Sequence, residues 1–250
     1  MEPTRVRELT GVREVAAASG GDAMVGWAAQ GLRGGVRAWA LDGAVAVASP
    51  GLNRRDRLTV CGGAPEAAEL VRRVLPELGP SYRLLGERPL VTEVVRRLPG
   101  AEILGTFEWM ETAGSVPPPP APDGAVGWLA PGADGEVTRL LAEASPSAWA
   151  VPGLPGIRRW AGLRDAAGTL VATAADAWSA PAVGFVAGVA TAPALRGRGL
   201  GEAVCRFVFG ALAAEHGRVA LMVDTGNAGA IRVYERLGMR IRPVAAATPA

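Results

Sequence analysis

The chain is poor in the residues that build metal centres and disulfide frameworks, with two cysteines and a single histidine in 250 residues. Cys61 and Cys205 sit among apolar or small neighbours, which predicts two buried, reduced thiols and excludes a disulfide scaffold. No apolar run is long enough to span a bilayer, and Met1-Glu-Pro-Thr-Arg-Val-Arg-Glu-Leu9 lacks the apolar centre of a secretory signal. A soluble, cytoplasmic protein without a membrane partner is expected. Charge of one sign is missing too. Lys+Arg of 26 against Asp+Glu of 24 leaves a formal +2, far from the dense basic surface that nucleic-acid binding requires.

What is present is enough apolar material for real cores, 49% of the residues, in a length that fits one large domain or two compact ones. The clearest boundary is Val116-Pro-Pro-Pro-Pro-Ala-Pro122, because consecutive prolines lack amide donors and hold an extended conformation. It predicts an N-terminal domain over 1–113, a linker over 114–124 and a second domain over 125–250.

In the first domain, Val36 to Leu41 and Ala44 to Ala48 flank Asp42-Gly43, a two-residue hairpin turn. Arg57 to Cys61 reads as a strand, Pro65 to Leu78 as a helix, Tyr82 to Leu85 as a strand, Pro89 to Leu98 as a helix and Ile103 to Met110 as a strand. In the second domain a helix near Gly135 to Ala144 precedes strands at Trp160 to Arg164 and Thr169 to Ala175. Gly184 to Ala190 is apolar enough for a strand covered on both faces. A glycine-rich loop, a helix to His216, a strand over Val219 to Val223 and a helix over Ala228 to Leu237 follow. Both halves thus read hairpin, strand, turn, helix, strand, helix, a pattern that a duplication with a divergent first copy would give and that common βα alternation also gives.

The loop is Arg196-Gly197-Arg198-Gly199-Leu200-Gly201. Its glycines at alternate positions let the backbone turn tightly and expose consecutive N–H groups, and the helix start behind it adds partial positive charge. That is an anion cradle, and two arginines suit it to a diphosphate. A P-loop would end in Gly-Lys-Ser/Thr, which is missing. A dinucleotide fingerprint would need glycine where Glu202 stands.

With those two excluded, the loop resembles the Arg/Gln-x-x-Gly-x-Gly/Ala signature of the GNAT superfamily of acyl-CoA-dependent N-acetyltransferases. Asn227-Ala-Gly-Ala-Ile-Arg-Val-Tyr-Glu-Arg-Leu-Gly-Met239 resembles that family's second signature, with Met239 in place of the usual aromatic residue. Asn227, Ala230 and Tyr234 recur at helical spacing and share one face. The resemblance covers Gly184 to Met239 and reaches back toward the linker.

The resemblance implies an α/β (α+β) fold with a mixed, mostly antiparallel sheet flanked by helices, plus a smaller GNAT-like N-terminal domain. It implies transfer of an acetyl group from acetyl-CoA, a co-substrate, to a small primary amine, with no metal. Arg196, Gly197, Arg198, Gly199, Leu200 and Gly201 would hold the CoA diphosphate, chiefly through the amides of Arg198, Gly199 and Gly201. The main chain of Val189 and Thr191 would pair with the pantetheine arm, Asn227 and Ala230 would line it, and Tyr234 would protonate the departing thiolate. Asp176 is the first candidate for the general base and Asp224 the second, while His216 lies at the far end of its helix and reads as a cap. Trp149, Trp160 and Trp178 are candidates for an acceptor wall, Trp160 and Trp178 also for core.

The matching turn of the first half, Val60-Cys61-Gly62-Gly63-Ala64-Pro65, lacks both arginines, and Pro65 removes an amide donor. One working site is therefore expected, the first domain serving packing, acceptor binding or homodimer formation. The alternative reading of the chain is a non-catalytic acyl-CoA sensor or scaffold.

Overall fold

The computed structural model describes residues 5–112 and 126–249. The linker expected at 114–124 lies outside the described residues.

The first compact unit runs to Trp109 and takes in Val223–Gly226 and the chain from Ile241 onward. Its elements are β1 (Arg7–Leu9), α1 (Val12–Ala18), α2 (Ala23–Ala29), β2 (Arg37–Leu41), β3 (Ala44–Leu52), β4 (Arg55–Cys61), α3 (Ala64–Leu78), β5 (Arg83–Glu87), α4 (Arg88–Arg97) and most of β6 (Glu102–Thr112). The β2–β3 turn is the predicted one, with Asp42 at φ 45° and Gly43 at φ 82°, the left-handed pair that a two-residue hairpin requires. Strands β1 to β4 run antiparallel to their neighbours, whereas β5 pairs in parallel with β4 from Arg57↔Arg83 to Thr59↔Leu85. That parallel step needs a crossover, and α3 supplies it. Leu58, Val60, Leu84, Leu70, Val71, Val91 and Val94 form the core beneath α3 and α4. Helix α2 covers the other face, where Ser49 Oγ on β3 donates 2.6 Å to Ala28 O.

The second unit comprises Met110–Met222 and Asn227–Arg240. It contains β7 (Val126–Trp128), α5 (Asp134–Ala144), β8 (Ile157–Arg164), β9 (Leu170–Ala177), β10 (Gly184–Thr191), α6 (Leu200–His216), most of β11 (Val219–Asp224) and α7 (Ala228–Arg236). Its strands lie in the order β11-β10-β9-β8-β7. All are antiparallel except the β10/β11 pair, again bridged by a helix, α6. The fold class is therefore the mixed, mostly antiparallel sheet flanked by helices.

Helix α6 buries Val204, Cys205, Val208, Phe209 and Leu212, a stripe at helical spacing. Burying each large member contributes about 1.5–3 kcal/mol. Gly217, at φ 79°, ends the helix by donating its N–H to Ala213 O at 2.8 Å.

The last strand, β12 (Met239–Thr248), departs from the expected 125–250 domain. From Ile241 it belongs to the first unit, where Val244 to Ala247 pair antiparallel with Glu87 to Leu84 of β5. Ala245 and Ala247 of this strand join the first unit's core.

Candidate active site

Strand β10 is shared unequally by its two neighbours. It pairs with β11 only from Gly184↔Val219 to Val186↔Leu221, then runs on to Thr191 beside β9 alone. The β9 register shifts by one residue between Ala187 and Ala190, a bulge that bends the strand. Gly188 sits in this bulge at φ 63°, and a Cβ there would lie 2.5 Å from Cη2 of Trp160. Only glycine fits both demands. Past Val186 the residues Ala187, Gly188, Val189 and Thr191 are half-buried, unlike the closed first part of the strand. The main chain of Val189 and Thr191 therefore lies where β11 has left the strand's side.

At the end of β10, a 3-10 turn over Pro193–Leu195 leads into the glycine loop. Gly197 and Gly199 both adopt φ 77°, and open space surrounds their Cβ positions. Gly201 is different, because a Cβ there would stand 2.8 Å from Thr191 Oγ1. Its missing side chain lets the first turn of α6 close onto the strand end. Among the described residues the N–H groups of Gly197, Arg198 and Gly199 donate to no other backbone group. Those of Leu200 and Gly201 lie in the first helical turn, where no helical carbonyl is available. Five successive amides are thus free for an anion.

The two arginines of the loop divide their work, which the sequence had treated as shared. Arg196 Nη2 donates 2.7 Å to Ala144 O, the last carbonyl of α5, and the Arg196 amide donates to Pro193 O. Its charge caps a helix C-terminus and fixes the loop rather than facing an anion. Arg198 is exposed and pairs with no acid among the described residues.

On α7, Asn227 is the N-cap, its Oδ1 accepting 3.1 Å from the Ala230 amide. That leaves Nδ2 of Asn227 as a donor, and Ala230 offers a ligand only its small side. Tyr234 is the one fully buried side chain of α7, its ring 6.2 Å from that of Phe209 on α6 and tilted by 39°. Burial pushes the phenol well above its usual range, and the nearby Cys205 adds in the same direction. The group stays protonated at any physiological pH and is a proton donor.

Asp176 is not placed for base chemistry. It is completely buried, its Oδ2 accepts 3.1 Å from Arg159 Nε and lies 3.4 Å from Arg158 Nη1, and its Oδ1 accepts 2.6 Å from Ser179 Oγ. Both arginines also bind Glu215, at 2.7 and 2.6 Å, near the C-terminal end of α6. A helix of 17 residues is about 25 Å long, so this charge cluster sits at the opposite end of α6 from the glycine loop. It ties β8 and β9 to the end of α6. His216 belongs to the same cluster, 3.4 Å from Arg158 Nη1, while the cap of α6 is Gly217. Asp224 is exposed at the end of β11.

Trp160 is a core residue, packed on Gly188. Trp178 is buried too, its Nε1 donating 3.0 Å to Pro155 O. Trp149, 39% exposed, is the member of the three that meets solvent.

Glu202, Arg206 and Arg236 form a cluster that the sequence reading did not assign. Glu202 Oε1 accepts 2.9 Å from Arg206 Nη2, and its Oε2 accepts 3.0 and 2.8 Å from Nε and Nη2 of Arg236. Hydrogen bonding to Arg236, and then to Arg206, holds this carboxyl below the usual range. The Glu202–Arg206 spacing of four residues is a readable helical pair. The reach to Arg236 on α7 is not.

Residues 139–239, from within α5 to the start of β12, match the model of the Acetyltransferase (GNAT) family. This segment is a GNAT acetyltransferase domain. The glycine loop, the split of β10 from β11 and Tyr234 all lie within it. A solved structure described as a GNAT-family acetyltransferase from Novosphingobium aromaticivorans is 25% identical, covering 78% of this chain and 88% of that one at a TM-score of 0.54. Two others share the fold over nearly the whole length. A Drosophila protein is 11% identical over 99% of both chains at a TM-score of 0.58. A GCN5-related N-acetyltransferase-like protein from Streptococcus suis is 12% identical over 96% of this chain and 98% of its own, at 0.54. The architecture around the GNAT domain, N-terminal unit included, therefore recurs elsewhere. No curated protein matches the sequence.

Proposed function

We propose that this chain transfers an acetyl group from acetyl-CoA to a small primary amine by direct attack in a ternary complex. The observation that carries the proposal is the junction of β10 and α6, where an unpaired strand side runs into five free amides. A ligand with an extended amide-bearing arm and a diphosphate end fits such a junction, the arm adding to the strand and the diphosphate meeting the helix start.

In this reading the amides of Arg198, Gly199 and Gly201 take the diphosphate, with Gly197 and Leu200 shaping the cradle and Arg196 fixing it from behind. Val189 and Thr191 pair with the arm through their main chain, and Asn227 Nδ2 donates to it. CoA supplies the acyl group as a thioester, and its transfer forms an amide and leaves a thiolate. Tyr234 donates its phenolic proton to that sulfur, and the proton released by the acceptor nitrogen returns through solvent to the phenolate, which closes the cycle. The N-terminal unit is a degenerate copy without donor binding, and its role is to support the acceptor side or a homodimer.

Calorimetry with acetyl-CoA, followed by thiol release against a panel of amines, tests the proposal. Binding of acetyl-CoA with release for at least one amine is expected. Absence of binding would end the proposal, and binding without release for any amine would make the chain an acyl-CoA sensor.

A further inference from the structure

Helices α3 and α6 begin alike and end up in opposite states. Each follows a glycine, Gly63 or Gly199, and each has glutamate as its third residue, Glu66 or Glu202. A carboxylate at that position naturally reaches back toward the start of its own helix, drawn by the free amides and the positive end of the dipole. In α3 it does so: a Cβ on Gly63 would collide with Glu66 Oε2, so this carboxylate lies over the helix start. At Gly199 the corresponding space is empty to 4 Å. The two glycines also differ in backbone, Gly63 at φ −71° and Gly199 at φ 77°.

The fate of Glu202 follows from its partners. Both of its oxygens are taken, one by Arg206 and the other by two nitrogens of Arg236. Glu66 has no such restraint, since the residue four positions on is Leu70, buried in the core. Arg206 and Arg236 are 45% and 57% exposed, so either pair alone adds little to stability. Together they fix where one carboxylate points.

We propose that Arg206 and Arg236 are positioning residues that keep the anion cradle of α6 open by holding Glu202 away from it. Released, Glu202 would fold over Gly199 to Gly201 as Glu66 folds over Gly63, and would compete with the diphosphate for the same amides. In the N-terminal unit the corresponding carboxylate already stands over its helix start. This inference rests on reading the α6 loop as the CoA diphosphate site.

A double-mutant cycle on the full chain, read by CoA calorimetry, tests it. Arg206→Ala with Arg236→Ala should weaken CoA binding at least about tenfold, and adding Glu202→Ala should restore most of the loss. Glu202→Ala in the otherwise native chain should change affinity by less than about twofold, because there the carboxylate is already held away. A purely Coulombic field would give Glu202→Ala the same gain in both backgrounds, and that additivity would overturn the inference. So would a loss that Glu202→Ala does not repair, the mark of a structural clamp. If the native chain binds no CoA, the reading of the site falls and the inference with it. If it binds and the cycle is additive, the inference falls alone.

Discussion

Gly201 on α6 and Thr191 on β10 touch: a single added methyl on the glycine would stand 2.8 Å from the threonine hydroxyl. The space between the helix start and the Thr191 hydroxyl thus leaves no room for a side chain on the glycine. Gly201→Ala should push α6 off the strand and misplace the amides above it. We expect about tenfold weaker CoA binding by calorimetry, because donors must sit within hydrogen-bond reach of the anion. Unchanged affinity would mean that the loop does not depend on this contact.

Tyr234→Phe should lower kcat by about a hundredfold while leaving CoA affinity nearly unchanged, since a phenol acting as acid works on the leaving group and not on binding. Release that survives the substitution would remove the proton-donor role. The raised phenol also sets a sign for stability. The unfolded chain ionises its tyrosine first, so the contribution is complete below pH 10 and is lost as pH rises beyond it. Chemical denaturation of the native and Tyr234→Phe chains from pH 8 to pH 11 reads this directly.

Asp176→Ala would leave the guanidinium groups of Arg158 and Arg159 without the buried carboxylate between them. The expected result is destabilisation by about 1–2 kcal/mol in urea unfolding, because both arginines are partly exposed and keep Glu215 as a partner. An unaltered unfolding midpoint combined with lost turnover would instead return Asp176 to the role of base.

Gly188→Ala confronts both the left-handed φ of 63° and the Trp160 ring. We expect a loss of about 2–3 kcal/mol from overpacking and backbone strain together. An alanine variant as stable as the native chain would show that the bulge relaxes.

Cys205 is buried as expected and Cys61 only half-buried, and burial pushes the Cys61 thiol up to about 11 and the Cys205 thiol up to about 12. Little thiolate exists at pH 8, so maleimide labelling of the native protein should be slow and should accelerate only as pH rises past about 10. Rapid labelling at pH 8 would contradict this placement.

How much was legible depended on whether a residue's partners are near in sequence. Asp42-Gly43 and Gly217 carry their backbone geometry in their own residue type, and both stand where the sequence put them. The glycine loop and the periodic faces of α3 and α6 were readable for the same reason. Helix α2 was not, because six of its seven residues are buried and no polar face marks a period. Strand β12 was missed because it carries Pro243 and finds β5 more than 150 residues upstream. Asp176 illustrates the limit at the site. Its acid could be seen, but the two arginines that neutralise it are delivered by strand pairing.

The folded-back Glu66 gives the two units different thermodynamic characters. A helix start with its own carboxylate standing over it repels an anion in solution, whereas one with free amides is incomplete without one. By mass action, added CoA should raise the melting temperature of the GNAT domain in proportion to the logarithm of its concentration. In calorimetric scans the transition would then climb steadily with donor concentration, the signature of a fold completed by what it binds.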